Sequence, residues 1–229
     1  VRTYQPRVLD SIPHDTTAFT QGLVLHNGKL YESTGKYGHS SVRVLDTATG
    51  SIDTCLWLDN AVFAEGLAVM DDHAVQLTWK AGMAFQYRIS DWSVVDTFFY
   101  RGQGWGLCRY GDRFLMSDGS SVLTVRDATF GVRESLQVRY LDNPLEDINE
   151  LEYIGNSLWA NVWHSDYIFI ISLYDTARVT GTVDCSALAL RMAGRDGEDV
   201  LNGIAYDAGR DRVFITGKNW PWIFIVAID

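Results

Sequence analysis

The chain is poor in basic residues, in cysteine and in proline, and each shortage narrows its class. Lys and Arg total 19 against 29 Asp and Glu, a formal net charge of −10. That balance argues against nucleic acid and anionic membrane surfaces as partners, because like charge repels. No apolar run approaches the roughly 20 residues of a membrane span, and the opening "VRTYQPRVLD" has no signal-peptide hydrophobic core. The expectation is a soluble chain. Cys55, Cys108 and Cys185 are too few and too far apart for a thiolate metal site, and their odd number leaves a thiol free. All three are expected to be buried. The histidines, His14, His26, His39, His73 and His164, show no metal-binding spacing, so no metal is assigned. Ser33, Ser117 and Ser120 lack His–Asp partners in register, which argues against a serine hydrolase. "GQGWG" has no helix after it and reads as a tight turn, not a phosphate cradle. With no linker, charge run or low-complexity segment, residues 1–229 read as one domain.

What the chain does have is repetition. Five segments share a pattern: "QGLVLHNGKLYEST", "EGLAVMDDHAVQLTW", "WGLCRYGDRFLMSD", "NELEYIGNSLWANVW" and "NGIAYDAGRDRVFITGK". Each has a polar residue or Trp, then Gly (Glu in the fourth), then Leu or Ile, then a turn and a β-rich run. The second positions are Gly22, Gly66, Gly106, Glu150 and Gly203, in steps of 44, 40, 44 and 53 residues. Such a period suits a four-stranded blade. Two more β-like runs follow each of the first four hairpins, whereas the fifth unit ends at "WIFIVAID", one strand short. The N-terminal "RVLDSI" can supply that strand. The fold expected is all-β: a five-bladed β-propeller of four-stranded antiparallel blades, its ring closed by the N-terminal strand, with Val8 to Ile12 beside Phe224 to Val226.

In a propeller the first strand of each blade lines the channel and the second returns antiparallel to it. The residue before each reference position and the residue thirteen after it therefore meet at one mouth. The first set is Gln21, Glu65, Trp105, Asn149 and Asn202; the second is Gly35, Trp79, Gly119, Trp163 and, allowing for a longer fifth hairpin, Lys218. A carboxylate, an ammonium, amides and indoles converge there. The opposite mouth receives turn material such as "HNGK", "MDDH" and "YGD". The convergence explains Glu65 in the apolar stretch "NAVFAEGLAV": an ionised carboxylate without partners would cost several kcal/mol to desolvate, and the rim supplies donors. Trp79, Trp105 and Trp163 read as a stacking box, Trp57 and Trp159 as core. Asn149 and Asn202 fit turn caps and substrate contacts equally.

The stretches "PHDTTAFTQGL", "LYESTGKYGHSS", "FAEGL", "LTWK", "GWGL", "SDGSSVLTVRD", "NELEYI", "WANVW", "LNGIAYD" and "ITGKNWP" carry a resemblance. Over residues 13 to about 222 the chain resembles the glutamine cyclotransferase family, the plant- and bacterial-type glutaminyl cyclases. The resemblance implies a five-bladed propeller that converts the N-terminal glutamine of a peptide or protein to pyroglutamate and releases ammonia, without catalytic zinc or another cofactor. It implies a monomer and, as bacterial members are exported, a periplasmic or secreted location. The family's proton-transfer acid, in F-x-E-G, falls on Glu65. Other site positions fall on Phe19 and Gln21 of "FTQG", Trp79 of "LTWK", Trp105 of "GWG", Asn149 of "NELE", Trp163 of "ANVW" and Lys218 of "TGK". Glu65, Lys218 and Gln21 are assigned to the chemistry; Phe19, Trp79, Trp105, Asn149, Trp163 and Asn202 to holding the substrate. Two rivals stand beside this reading. A calcium-dependent lactonase-like propeller would use Glu65, Asn149 and Asn202 on an ion, although Lys218 opposes a divalent cation there. A peptide-binding module without activity would release no ammonia.

Overall fold

The computed structural model describes residues 1–174, 176–192 and 197–229. Its fold is all-β and propeller-like, with one short helix, Ser186–Leu190, among the described residues. The first sheet is built from Thr20–His26, Lys29–Thr34, Ser41–Asp46 and Ile52–Trp57, paired in chain order. The second runs through Ala64–Met70, His73–Thr78, Met83–Arg88 and Val94–Phe99, the third through Leu107–Tyr110, Arg113–Met116, Val122–Arg126 and Val132–Gln137. The fourth contains Ile148–Ile154, Ser157–Val162, Tyr167–Ser172 and Arg178–Asp184. In the last, Leu201–Asp207, Arg212–Gly217 and Trp222–Ile228 are joined by Pro6–Pro13, which runs antiparallel to Trp222–Ile228 with Val8 opposite Val226.

Local chemistry sets these elements. The strands are rich in β-branched and aromatic residues, and tight turns separate them. In "HNGK" both Asn27 (φ 49°) and Gly28 (φ 76°) are left-handed, the geometry that joins two twisted strands in two residues. First strands are buried along most of their length, as in Ala64–Met70, whereas outer strands such as Val132–Gln137 are mostly exposed. The first strands of successive sheets adjoin one another, and that of the last adjoins that of the first. The core is accordingly divided among sheet junctions. One cluster joins Val24, Tyr31 and Val44 to Leu67, Val69 and Tyr87; another joins Leu23, Leu30 and Leu45 to Ile12, Phe214 and Ile225.

Three expectations need correction. The fourth sheet is seven-stranded: Arg2–Tyr4 pairs parallel with Arg178–Asp184, and the small ribbon of Arg139–Tyr140 and Asn143–Pro144 extends the same edge. Trp57 is not core but 59% exposed, because it lies on an outer strand. Cys55, on that same strand, is exposed, whereas Cys108 and Cys185 are buried.

Candidate active site

Backbone irregularity positions the site. In four of the five sheets the ladder between first and second strand shifts register at the mouth: between Thr20 and Gly22, Ala64 and Leu67, Ile148 and Leu151, Leu201 and Ile204. Gln21, Glu65, Asn149 and Asn202 each fall within such a shift. A bulge re-aims a side chain that regular pleating would send elsewhere. Glycine after the site residue lets neighbouring first strands touch. A Cβ on Gly66 would stand 2.4 Å from Leu107 N, and one on Gly106 would stand 2.0 Å from Asn149 O. The backbone then clasps the two sets of mouth residues: Gly35 N donates to Phe19 O at 2.8 Å, Trp79 N to Phe63 O at 2.9 Å, and Trp163 N to Asp147 O at 2.9 Å.

These residues enclose a cavity of about 240 Å³ lined by Phe19, Gln21, Phe63, Glu65, Trp79, Trp105, Asn149, Trp163, Glu198 and Lys218. That is below the roughly 300–1,000 Å³ of sites for drug-sized ligands, and suits a single side chain. Glu65 is 4% exposed and its Oε1 accepts from Gln21 Nε2 at 3.0 Å. Burial pushes the Glu65 carboxyl well above the usual carboxylate range, with Lys218 pulling it partly back. Burial likewise holds the Lys218 ammonium below its ordinary value, opposed by Glu65 and Glu198. Each of the two thus makes the other tolerable. Asn149 Oδ1 is buried and has no hydrogen-bond partner among the described residues, so a substrate N–H can use it. The walls are aromatic, with Trp105 edge-on to Trp163 at 5.9 Å and Phe63 5.4 Å from Trp79. Among the described residues no group of three His, Cys, Asp or Glu is placed to hold a metal ion.

The family model described as glutamine cyclotransferase matches residues 1–228. The chain belongs to the glutamine cyclotransferase family. It is 40% identical over 232 residues to glutaminyl-peptide cyclotransferase of Arabidopsis thaliana, covering 99% of this chain and 72% of that protein. The crystal structure of Myxococcus xanthus glutaminyl cyclase superposes with a TM-score of 0.93 at 38% identity, covering 100% of this chain and 98% of that one.

Among the positions assigned from sequence, this cyclotransferase-family chain gathers all but Asn202 around the cavity. Asn202 is fully buried behind Gln21: its Nδ2 donates to Thr20 O at 2.9 Å and to Gln21 Oε1 at 3.2 Å. It therefore fixes which end of the Gln21 amide faces Glu65, and substrate contact is not its position. Three lining residues escape the register argument, and of these Phe19 alone is reached through the resemblance. Phe63 lies two residues before Glu65, and its signal is Gly35: a Cβ there would meet the Phe63 ring at 2.4 Å. Gly119 makes the same room for Trp105, at 2.7 Å. Glu198 lies in the long 53-residue step before the fifth segment, where the repeat gives no register. Gln103, of the turn "GQGWG", accepts from both Trp79 Nε1 and Trp105 Nε1 through its Oε1. Those two indole N–H groups are therefore engaged with the protein.

Proposed function

We propose that the chain is a glutaminyl-peptide cyclotransferase that closes an N-terminal glutamine to pyroglutamate and releases ammonia, with Glu65 carrying the proton. The observation that supports this most is a lone desolvated carboxylate sharing a one-residue aromatic cavity with an ammonium and two amides. The α-amine and the γ-carboxamide belong to one residue, so the advantage lies in freezing a near-attack conformer, for which the walls of Phe19, Phe63, Trp79, Trp105 and Trp163 are suited. The amine nitrogen attacks the carboxamide carbon, and its proton passes to Glu65. A tetrahedral oxyanion forms, the bond to the amide nitrogen breaks, and Glu65 returns the proton to that nitrogen, which leaves as ammonia. Burial favours this role because it raises the basicity of Glu65 toward that of the amine it must deprotonate. Lys218 and the Trp163 N–H are the candidate oxyanion donors, each worth about 2.7–4 kcal/mol when well placed. Asn149 would hold the reacting N–H groups through Oδ1. The Lys218 ammonium disfavours the rival reading of a divalent-cation centre in the same cavity.

The proposal includes an architecture: the five sheets are five blades of one ring, which Pro6–Pro13 closes as the outer strand of the last. The antiparallel register from Pro6 opposite Ile228 to Pro13 opposite Trp222 supports it. A monomeric, exported enzyme is part of the same reading and rests on the family resemblance. The test of function is ammonia release from a short Gln-initiated peptide, read beside the same peptide acetylated at its N-terminus. Release from the free peptide alone is expected, since acetylation removes the nucleophile. Absence of release from the free peptide contradicts the proposal.

A further inference from the structure

The chain has only four lysines in 229 residues, and three of them stand at the mouth of the site. Lys36 Nζ lies 4.6 Å from the centroid of the Phe19 ring, Lys218 Nζ 4.7 Å from that same centroid, and Lys80 Nζ 3.7 Å from that of Trp79. The fourth, Lys29, is paired with Asp46 and Asp53 at the tip of the first hairpin. Lys218 faces Glu65 and Glu198. Lys36 makes no ion pair among the described residues. In a molecule of net charge −10, the gathering of three of its four lysines at one mouth sets a local balance of charge different from that of the whole, with Lys36 the ammonium of the hollow left without an ion pair among the described residues.

Beside the site cavity lies a second, open hollow of about 770 Å³, walled by Trp57 and lined by the charged residues Lys36, Arg43, Glu198 and Asp199, of which Glu198 faces Lys218 and Asp199 accepts from Asn219 Nδ2 at 2.7 Å. Glu198 lines both spaces, so the hollow adjoins the site cavity at the mouth. Trp57 offers an indole that is 59% exposed, backed by the Arg43 guanidinium 5.7 Å from its ring centroid. Arg43 is itself fixed by Asp15 at 2.8 Å and Ser41 at 3.0 Å. An outer-strand tryptophan held in this way forms a flat apolar wall. A cavity that accepts one glutamine leaves the following residue no place except outside the mouth, where this hollow begins.

We infer that the hollow receives the residue after the N-terminal glutamine and that Lys36 selects a carboxylate there. The inference rests on the proposed cyclotransferase reaction and adds a substrate class to it: Gln-initiated peptides that carry negative charge at the second residue. Two sources present that group, an Asp or Glu side chain and the terminal carboxylate of a dipeptide. A basic second residue meets the Lys36 ammonium and is disfavoured.

The test compares kcat/KM for Gln-Ala-NH2, Gln-Glu-NH2, Gln-Lys-NH2 and unamidated Gln-Ala, in the parent and in Lys36→Ala, Lys36→Arg and Lys80→Ala. A partly exposed ion pair predicts an advantage of about two- to fivefold for a carboxylate-bearing peptide over Gln-Ala-NH2, carried in KM and reduced by salt. Gln-Lys-NH2 is expected to be slowest. Preference for Gln-Glu-NH2 identifies the side chain as the group read; preference for unamidated Gln-Ala identifies the terminus; either supports the inference. The ratio is expected to fall toward one in Lys36→Ala, to survive in Lys36→Arg and to persist in Lys80→Ala. Equal rates for all four peptides, or a ratio as insensitive to Lys36→Ala as to Lys80→Ala, overturn the inference while leaving the cyclotransferase reading intact. Failure of every peptide to release ammonia in the parent enzyme would instead overturn the reading of function.

Discussion

At the scale of single residues, the buried pair His14–Glu32 shows how the motif "PHDTTAFTQG" supports the site without entering it. His14 Nδ1 meets the Trp220 carbonyl oxygen at 2.8 Å and Nε2 meets Glu32 Oε1 at 2.8 Å. Both partners are acceptors, so both ring nitrogens carry protons and His14 is an imidazolium. Glu32 Oε1 also accepts from Thr20 Oγ1 at 2.7 Å, one residue before Gln21. Burial lowers the His14 pKa, but Glu32 and the Trp220 carbonyl outweigh it and the result lies above the ordinary 6.5. Burial raises that of Glu32, but His14, Arg43 and Thr20 outweigh it and the result lies below 4.5. The stability contributed by His14 is therefore fully present below its unfolded pKa and is lost as pH rises through the raised folded one. That contributed by Glu32 is present above its unfolded pKa and is lost as pH falls through the lowered folded one. His14→Gln is expected to lose about 3 kcal/mol near pH 6 in urea denaturation, because it leaves a buried carboxylate uncompensated. The gap to the parent should narrow as pH rises beyond about 6.5 and through the folded pKa. A gap that stays constant with pH would contradict an imidazolium at this position. Sequence reading had no access to this pair, since nothing in the spacing of His14 and Glu32 sets them face to face.

At the scale of elements, the site was legible where residue type and register coincide. Gln21, Glu65, Trp105, Asn149, Trp79, Trp163 and Lys218 occupy equivalent ends of first and second strands, so counting from the repeated glycine finds them. Asn202 shares both the register and the bulge and yet is buried behind Gln21, its Nδ2 engaged by Thr20 O and Gln21 Oε1, so position in the repeat does not by itself bring a side chain to the cavity. Gln103 was read as turn material, although it ties two indoles together from that turn. Phe19, Phe63 and Glu198 fall outside the counted positions. Glu150, the non-glycine member of the reference set, has its own explanation. Its carboxylate accepts from Leu23 N at 3.3 Å and Ile204 N at 2.9 Å, linking the fourth sheet to the first and the last where the other sheets need glycine for close approach. The strand Pro6–Pro13 is the sharpest prediction at this scale. It pairs along Trp222–Ile228 and buries Ile12 to 2% exposure, so it joins the two ends of the chain. Removing residues 1 to 12 should cost several kcal/mol, which at about 2–4 °C per kcal/mol lowers the thermal midpoint by roughly 10 °C. Calorimetry showing an unchanged midpoint would contradict closure by this strand.

At the scale of the whole molecule, the repeat period points to an all-β, propeller-like fold, but carries no sign of the added strands of the fourth sheet. The parallel pairing of Arg2–Tyr4 with Gly181–Val183 joins segments far apart in the chain and has no periodic signature. The first and second strands of the sheets converge on one mouth, where a carboxyl group is kept from water and set beside an ammonium. The central claim is that this carboxylate moves the proton. Glu65→Gln preserves shape and the hydrogen bond to Gln21 while removing the titratable oxygen, so its pH–rate profile is the most direct measurement. Glu65 must be ionised to accept a proton, so parent turnover should fall as pH drops through its pKa, with the acid limb above the usual ~4.3 of glutamate because burial raises it. In Glu65→Gln turnover should fall on the order of 10² or more with KM near the parental value, and this limb should disappear, leaving that of the substrate amine near ~7.7–8.0. A folded Glu65→Gln enzyme that turns over nearly as fast as the parent, or that keeps the same acid limb, would contradict the account.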